Sequence, residues 1–323
     1  MRLHYIIPEA LTALSVRAFL KRQGVSLHLW RSLKHNGTIT VNGQPVIAAL
    51  TILHPGDELT CELAETSAIE PLPLPLDIRY EDEALLIVNK PAAQLVHPVS
   101  RQRPEATLAN AVTYYYQQTG QNLIFHPLHR LDRNTSGLLL IAKQPHIQAC
   151  LTDTAGPRFC RHYLGVATGC LRSSEGVIDI ALGRKPGSLI EQQPSPDGRP
   201  AQTYYRLLTK TRELSLLALS PVTGRTHQIR VHLAAIGHPL LGDDLYGVPS
   251  PFIHRQALHA FRLDLTHPVT RQPLSVSVPP PEDFLRLGNL WEGPDWAETF
   301  RELFFDTLVN CYLFSMARLQ SMV

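Results

Sequence analysis

Three prolines at alternate positions constrain this chain more than any other feature of its sequence. Pro71, Pro73 and Pro75 lie in the segment 64–77. Proline fixes φ and lacks a backbone N–H, so this spacing excludes a helix or a central strand and favours an extended linker. A chain of 323 residues is long enough for two domains. We therefore expect one domain over residues 1–70, a second over 71–284 and a C-terminal tail over 285–323.

The segment before the linker is basic. No aspartate or glutamate occurs between Ala10 and Gly56, although the net charge of the whole chain is only +2. A local excess of positive charge points to an anionic partner such as RNA, although a solvated helix face would have the same composition. The candidate RNA contacts in this segment are Arg17, Lys21, Arg31 and Lys34.

The elements before the linker predict a small domain with helices and strands. Apolar residues at helical spacing predict a helix over 12–24, and a second basic segment follows at 30–37. An Asn42-Gly43 pair between short alternating runs predicts a hairpin turn. A further strand is expected in 54–63.

Cysteine usage and hydropathy exclude several classes of protein. The five cysteines have no CxxC spacing and are odd in number, so we expect reduced thiols rather than a disulfide framework. The first residues include a glutamate and a proline where a signal peptide needs an apolar core. No run approaches the ~20 apolar residues of a membrane-spanning helix. These features predict a cytoplasmic protein without a membrane segment.

The stretch 126–143 carries the strongest candidate for chemistry. It places Asp132 between Arg130 and Arg133, before a Thr-Ser-Gly turn and an apolar run, 138–142, that predicts a buried strand. Opposite charges and turn donors favour the ionised carboxylate. An ionised carboxylate held beside a strand is suited to act as a nucleophile or a base, whereas the alternative is a surface ion pair in a charged turn.

Hydrophobic patterning over the rest of the chain predicts an α+β domain. Strands are expected in 78–90, 161–169, 201–210 and 214–220, and helices over 106–118 and 226–236. Gly, Pro and Ser are frequent in 183–200, where we expect loops. In the tail, the stretch 300–319 is amphipathic and predicts a helix.

Three separated segments resemble signatures of one enzyme family. HRLDRNTSG, beginning at His129, resembles the catalytic motif of the RluA family of RNA pseudouridine synthases. The segments 80–98 and 223–247 resemble that family's opening strand and loop and its second long signature, in the expected order. The elements of residues 1–70 resemble an S4-like RNA-binding module. The resemblance implies an α+β pseudouridine synthase fold, with a mixed, mainly antiparallel sheet flanked by helices and a cleft across its middle.

This resemblance also implies roles for three residues. Asp132 would be the catalytic carboxylate, attacking the sugar at C1′, attacking the base, or taking a proton while a glycal forms. Tyr163 matches the family's active-site tyrosine, whose ring would stack against the uracil, although without the resemblance it would be read as a core aromatic residue on a strand. Arg230 matches the arginine that pairs with the aspartate, and its planar fork is suited to hold both carboxylate oxygens.

Several further residues are expected to contact RNA. The resemblance implies that Arg130 fills the gap left by a flipped nucleotide, because chemistry on a stacked base requires its extrusion. Arg133 stands where the family commonly has a lysine. Arg225 and the loop 242–247 are expected to meet phosphate, and His227 is expected on the same side of the helix as Arg230.

The sequence predicts neither a cofactor nor a metal. It lacks a phosphate-binding P-loop, a GxGxxG after a strand and a GxSxG elbow, and its histidines lack matching ligand clusters. The function expected is uridine isomerisation in structured RNA, ribosomal or transfer, by a monomer with RNA as its partner. The alternatives are a binding protein with a decayed site and a carboxylate hydrolase, which would need a second acidic residue in a matching motif.

Overall fold

The computed structural model describes residues 2–10, 13–25, 27–47, 50–63, 69–98, 106–153 and 156–291. Residues before the linker form a four-stranded sheet in the order β1-β6-β3-β4, with two helices against it. The elements of this part are β1 (Arg2–Ile6), β2 (Leu14–Ser15), α1 (Val16–Arg22), α2 (Leu27–Asn36), β3 (Gly37–Val41), β4 (Gln44–Pro45), β5 (Ile52–Leu53) and β6 (Glu58–Leu63).

Local sequence accounts for these elements. The Ser15 hydroxyl accepts a hydrogen bond from the backbone N–H of Ala18 at 3.2 Å, which caps α1, and the apolar face of that helix is buried. The expected hairpin turn is present, because Asn42 and Gly43 take φ values of 51° and 76° between β3 and β4. The helix begins at Val16 and ends at Arg22, inside the expected range 12–24.

The remaining elements build a larger sheet with helices and a few short hairpins. They are β7 (Ile78–Glu81), β8 (Leu85–Lys90), α3 (Leu108–Gln118), β9 (His126–Pro127), β10 (Ser136–Ala142), α4 (Pro145–Leu151), β11 (Thr152–Asp153), β12 (Gly156–Pro157), β13 (Phe159–Thr168), β14 (Glu175–Asp179), β15 (Leu182–Arg184), β16 (Gln192–Pro194), β17 (Gln202–Lys210), β18 (Leu214–Pro221), α5 (Gln228–Ala235), β19 (Leu258–Thr266), β20 (Pro273–Ser277) and α6 (Glu282–Leu285).

The central sheet has the order β14-β17-β18-β13-β19-β10-β8-β7, with β9 beside β10 and β20 beside β19. Among the described strands of this sheet, β10 and β19 form the one parallel pair, through Ser136 with His259 and Gly137 with Ala260. The predicted mixed, mainly antiparallel sheet is therefore confirmed. Every residue of β10 is buried, as the apolar run 138–142 predicts.

Buried side chains group separately on the two sides of the linker. One hydrophobic cluster draws only on residues from Leu3 to Leu63, whereas the clusters of the central sheet begin at Ala84. In the larger part, α3 and α5 pack on the same cluster, which also contains Leu139 and Tyr163. The linker residues 70–77 have no regular structure. The two parts meet where α2 lies against α4.

Two expectations about irregular segments need correction or restriction. The segment 183–200, expected to form loops, contains an antiparallel hairpin of β15 and β16, in which Leu182 pairs with Pro194 and Arg184 with Gln192. The expected tail boundary at residue 284 falls inside α6, and a 3₁₀ turn, Arg286–Leu290, follows it. Trp291 then packs into the core, and the amphipathic stretch 300–319 lies outside the described residues. No described helix is long and apolar enough to cross a membrane.

Candidate active site

One cavity of about 340 Å³ opens between the middle of the central sheet and the start of α5. Most of its wall comes from the loop 128–135 before β10, the strand β13, the loop 221–227 before α5 and the first turn of α5, and Thr152 and Leu258 complete the lining. A volume of this size lies within the range of small-molecule sites in proteins. Asp132, Tyr163, Arg230, Arg130, Arg225 and His227, all singled out from the sequence, line it.

Asp132 lies on a loop whose backbone is held by buried side chains. Lys90 donates from Nζ to the carbonyl oxygen of Arg133 at 3.0 Å, and Arg255 donates from Nη1 to that of Asn134 at 3.1 Å. The amide of Gln256 donates to the Thr135 hydroxyl at 3.1 Å. The position of the Asp132 carboxylate is therefore set by donors from β8 and from the chain before β19, rather than by its own turn alone.

Arg230 reaches Asp132 with one nitrogen only. Its Nη1 lies 3.4 Å from Asp132 Oδ2, whereas Nε and Nη2 each lie 2.7 Å from an oxygen of Asp243. The expectation that the fork of Arg230 holds both oxygens of Asp132 is wrong, because the fork is occupied by Asp243. Nη2 also lies 3.3 Å from Asp244 Oδ1, so three carboxylates surround this buried guanidinium.

Asp243 is the buried centre of this arrangement. Its side chain has no exposed surface, and Oδ1 also accepts hydrogen bonds from the backbone N–H groups of Leu245 and Tyr246 at 3.0 and 3.1 Å. Burial lowers the pKa of Arg230, but the hydrogen bonds and charge of Asp243 more than offset this and leave the pKa raised. Asp243 therefore faces Arg230, and contact of the other residues of the loop 242–247 with phosphate stays a prediction.

His227 stands between Asp132 and Tyr246. Its Nε2 lies 3.9 Å from Asp132 Oδ1, and its Nδ1 lies 2.8 Å from the Tyr246 hydroxyl. The residue has φ 54°, a left-handed conformation, so the helix begins at Gln228 and not at Thr226 as expected. Burial lowers the pKa of His227, and the charge of Asp132 opposes this shift. The Tyr246 ring also lies 5.1 Å from the guanidinium carbon of Arg230.

Tyr163 enters the cavity from β13. The register of β13 with β19 shifts between His162 and Tyr163, which is a local irregularity at the cavity wall. The side chain is buried, and burial raises the pKa of its hydroxyl, while the charge of Arg161 opposes the rise. The phenol is therefore neutral at physiological pH. Tyr163 belongs both to the hydrophobic core and to the cavity lining, so the two readings of this residue are compatible.

The remaining predicted RNA contacts are dispersed over the surface. Arg130 and Arg133 are exposed beside Asp132, and Arg225 donates from Nε to the carbonyl oxygen of Pro200 at 3.0 Å. The four candidates in the N-terminal part are exposed on α1 and α2 and do not line the cavity: Arg17, Lys21, Arg31 and Lys34. Their contact with RNA stays a prediction.

Several site residues were not singled out from the sequence. Asp243 and Tyr246 lie in the 242–247 loop. The two consecutive acidic residues of this loop, after the helix that carries Arg230, could have indicated a partner for that arginine. Lys90 is fully buried, and desolvation lowers its pKa to about 7 despite the nearby charge of Asp132. No local pattern marks such a lysine, because its three acceptors, the carbonyls of Pro91, Gln94 and Arg133, meet only in the folded chain.

The part of the chain that the structure describes holds no grouping that resembles a metal centre. Within the described ranges, no three His, Cys, Asp or Glu side chains come together as potential metal ligands. The carboxylates near Arg230 are arranged around its guanidinium, with nitrogen-to-oxygen distances between 2.7 and 3.4 Å.

Comparisons with known proteins agree on one family. A family model described as RNA pseudouridylate synthase matches residues 84–235. The chain is 37% identical over 279 residues to an uncharacterized RNA pseudouridine synthase, YjbO, of Bacillus subtilis (strain 168), a match that covers 85% of this chain and 98% of that protein. It is 38% identical over 244 residues to ribosomal large subunit pseudouridine synthase D of Escherichia coli (strain K12), covering 71% of this chain and 74% of the relative.

Solved structures give the same answer at the level of the fold. Human RNA pseudouridylate synthase domain containing 4 superposes with a TM-score of 0.54 at 25% identity, covering 68% of this chain and 95% of that one. Human RNA pseudouridylate synthase domain containing 1 gives a TM-score of 0.52 at 28% identity, with 68% and 87% of the two chains covered.

Proposed function

This chain belongs to the RNA pseudouridine synthase family, and from that premise we propose that Asp132 is the carboxylate with which it isomerises uridine in ribosomal RNA. The enzyme is an isomerase: the N1–C1′ glycosidic bond of uridine breaks, the uracil turns, and a C5–C1′ bond forms. The observation that carries the assignment of Asp132 is its position in the cavity, 3.4 Å from Arg230 and 3.9 Å from His227.

The single contact with Arg230 matters for reactivity. A carboxylate held by a bidentate guanidinium has both oxygens engaged, whereas Asp132 receives one nitrogen of Arg230, 3.4 Å from Oδ2, and His227 Nε2 lies 3.9 Å from its Oδ1. Its remaining lone pairs are available to the nucleoside, for attack or for proton transfer. Asp243 takes the fork of Arg230 and so keeps the guanidinium in place without occupying the reactive carboxylate. We infer that Asp243 and Arg230 orient and stabilise Asp132.

Tyr163 supplies the surface against which the uracil would lie. Its ring is part of the cavity wall, and its hydroxyl is neutral because burial raises its pKa. A neutral phenol both donates and accepts a hydrogen bond. Tyr163 is therefore suited to donate a proton to the base, or to accept one from it, as C5 changes its bonding. This role is part of the proposal for the site.

Access to the cavity requires a flipped nucleotide. Asp132 is half-buried, so a uridine stacked inside an RNA helix cannot reach it. Arg130 is exposed and lines the cavity, and in this proposal its long side chain would occupy the gap in the RNA stack. Arg133, which is exposed, and Arg225, which lines the cavity, would contact the RNA backbone.

The relatives direct the choice of RNA. Those named synthase D act on the ribosomal large subunit by their printed names, and we propose a ribosomal target, in the cytoplasm, for this chain as well. The basic helices α1 and α2, within an S4-like domain of residues 1–70, would add sequence-independent affinity. The division into domains and the monomeric state stay predictions.

The test of the site is Asp132→Asn. The amide keeps the shape of the side chain but cannot act as nucleophile or base, so turnover should be abolished while RNA binding and the thermal midpoint stay near wild type. Release of tritium from RNA labelled at uridine C5 measures turnover. Appreciable release by the variant would reject Asp132 as the reacting group.

The competing function is an RNA-binding protein without activity. Mapping pseudouridine in RNA from cells with and without this gene separates the two. One or more sites that lose pseudouridine in the deletion strain, and regain it with the wild-type gene but not with Asp132→Asn, would support the enzyme. An unchanged map would favour the binding protein.

A further inference from the structure

The two buried arginines in the cavity wall differ in how their charge is balanced. Arg230 has three carboxylates within 3.4 Å. Arg161, on β13, is also buried, with 7% of its surface exposed against 4% for Arg230, but forms no ion pair with any residue in the described part of the chain. Burying a guanidinium without an opposite charge is costly, so an unbalanced arginine at a cavity suggests that the charge is met by a ligand.

The hydrogen bonds of Arg161 leave one side of its guanidinium open. Nη2 donates to the carbonyl oxygens of Pro221 and Thr223, at 3.3 and 3.0 Å, which anchors the loop before α5. Nη1 has no acceptor among the described residues, and the N–H of Nε is buried without one. Carbonyl dipoles hold the side chain in place, but they do not supply a full negative charge.

Two aromatic neighbours of Arg161, His129 and Phe159, carry no negative charge. His129 accepts a hydrogen bond at Nε2 from the backbone N–H of Leu140, so its own proton is on Nδ1. Burial and the charge of Arg161 lower the pKa of His129 well below its ordinary value, so it is neutral. The Phe159 ring lies 5.7 Å from the guanidinium carbon. At this end of the cavity, Nε and Nη1 of Arg161 have no acceptor among the described residues, and no described carboxylate forms an ion pair with its guanidinium.

Gly224 keeps the open side of the guanidinium free. A Cβ at this position would lie 3.3 Å from Nη1 and 3.7 Å from Nη2 of Arg161. The backbone of Gly224 does not take a positive φ, so its conformation alone does not require glycine. The missing side chain leaves space beside Nη1, at a residue that itself lines the cavity.

We propose that Arg161 forms a subsite for one phosphate group of the RNA, the phosphate immediately 5′ or 3′ of the flipped uridine. Gly224 leaves room for this phosphate beside Nη1. The ligand is an anion because the guanidinium of Arg161 carries a full positive charge, and the neutral carbonyl groups of uracil cannot balance it. RNA brings such an anion with every nucleotide, and an arginine is suited to bind it. This subsite rests on the proposed function and adds to it the point at which the backbone of the target strand is held.

The test removes the charge from each partner in turn. RNA carrying the mapped target uridine is prepared with a neutral methylphosphonate at the linkage 5′ or 3′ of that uridine. For the wild type, one of the two linkages should lower kcat/KM by about 10- to 100-fold, as expected for a lost charge-assisted hydrogen bond. Arg161→Gln should lose a similar factor on unmodified RNA and little more on the modified RNA. Full, additive losses at both linkages would overturn the proposal.

A second variant protects the test against misfolding. Gly224→Ala keeps Arg161 and its bonds to the Pro221 and Thr223 carbonyls but fills space beside Nη1, so it should show the same insensitivity to the modified linkage. Arg286→Gln, at an exposed arginine outside the cavity, should retain the wild-type sensitivity. If Gly224→Ala remained as sensitive as the wild type, the phosphate would have to bind elsewhere.

Measuring Kd in the same series separates this subsite from the proposed reaction. In one outcome, the modified linkage weakens RNA binding by the wild type, Arg161→Gln removes this difference, and no uridine is isomerised. That outcome would support the subsite and contradict the proposed function. A wild type that isomerises uridine with no coupling between the linkage and Arg161 would do the reverse.

Discussion

At the scale of single residues, the site depends on how one buried arginine is shared. The sequence identified Arg230 and Asp132 as partners through a motif resemblance, yet the stronger bonds of Arg230 go to Asp243, at 2.7 Å through both Nε and Nη2. Two consecutive acids in the 242–247 loop could each face solvent, and only the packed loop decides which one is buried. Asp243 is fully buried, whereas the side chain of Asp244 is 69% exposed.

Asp243→Asn is expected to be strongly destabilising. The amide cannot accept from both nitrogens of Arg230, and removing the charge leaves a buried guanidinium poorly compensated, at a cost of about 3–5 kcal/mol. The free energy of unfolding in urea measures this. Asp244→Asn is the matched control and should cost at most about 1 kcal/mol, since its partner contact is solvent-exposed.

Activity gives a second readout of the same residues. Arg230→Lys keeps a charge but lacks the fork, so it should lose most turnover.

In double-mutant cycles of unfolding free energy, the coupling of Arg230→Ala with Asp243→Asn should exceed its coupling with Asp132→Asn. Equal couplings would mean that Arg230 is shared evenly and that the distances of 2.7 and 3.4 Å do not reflect its bonding.

At the scale of elements, the parallel pair of β10 and β19 is what assembles the site. It brings the loop of Asp132, which leads into β10, next to Arg255 and Gln256, which precede β19. Gly137 is at the contact: it has φ +117°, and a Cβ there would lie 2.6 and 2.7 Å from backbone N and C of Ala260. The two strands approach so closely only because this position has no side chain.

Gly137→Ala should therefore destabilise the fold and abolish turnover. Gly187→Ala is a matched control, because Gly187 also has a positive φ, +77°, but nothing lies within 4 Å of the Cβ position. Left-handed strain alone costs about 1–3 kcal/mol, so the control should fall in that range and Gly137→Ala should cost at least about 2 kcal/mol more. Chemical denaturation of both variants checks the difference. Equal costs would mean that strand separation is flexible here.

Sequence patterns predicted elements well where one physical signal dominated. The apolar run 138–142 could only be a buried strand or helix core, and its length and flanking turn selected the strand. The hairpin of β15 and β16 was missed because its residues, rich in Gly and Pro, carry no alternation. The left-handed His227 was missed as well, since no local pattern marks its φ of 54°, and its contact with the Tyr246 hydroxyl joins residues that are distant in sequence.

At the scale of the whole molecule, the basic helices of the N-terminal part should contribute to RNA affinity through charge. Replacing Arg17, Lys21, Arg31 and Lys34 together by Gln should weaken binding and reduce the slope of log K against log salt concentration by about 3, because each phosphate neutralised releases counterion. Replacing four exposed arginines elsewhere, Arg79, Arg172, Arg212 and Arg286, is the control and should change the slope less. Filter-binding titrations at several salt concentrations provide the measurement, and an equal effect of both sets would assign α1 and α2 to solvent.

Buried histidines should make the protein sensitive to acid. His259 is fully enclosed beside the Ser136 hydroxyl, and burial lowers its pKa to about 3. Between this value and 6.5 the unfolded chain binds a proton that the native chain does not, so stability falls as pH drops through that window. Burial also lowers the pKa of His129, His146, His227 and His232, which act in the same direction.

The contribution of His259 can be isolated. Between pH 7 and pH 5 it should account for about 2 kcal/mol of the lost stability, so His259→Gln should lose that much less over the same interval. Urea unfolding at the two pH values measures this, with His35→Gln, at an exposed position of α2, as a control that follows the wild type. An unchanged pH dependence of His259→Gln would show that the imidazole is reached by water.

The loop that carries Asp132 is fastened by Lys90, Arg255 and Gln256, and this has a consequence for how targets are selected. A loop held in this way does not change conformation when RNA binds, so the RNA itself has to deform to bring the uridine into the cavity. Uridines at bulges, mismatches and flexible junctions deform at little cost, whereas those in regular helices resist. Such an enzyme selects its substrate partly by the free energy needed to deform the RNA. Of two uridines in the same sequence context, the one in the more deformable RNA structure would be modified.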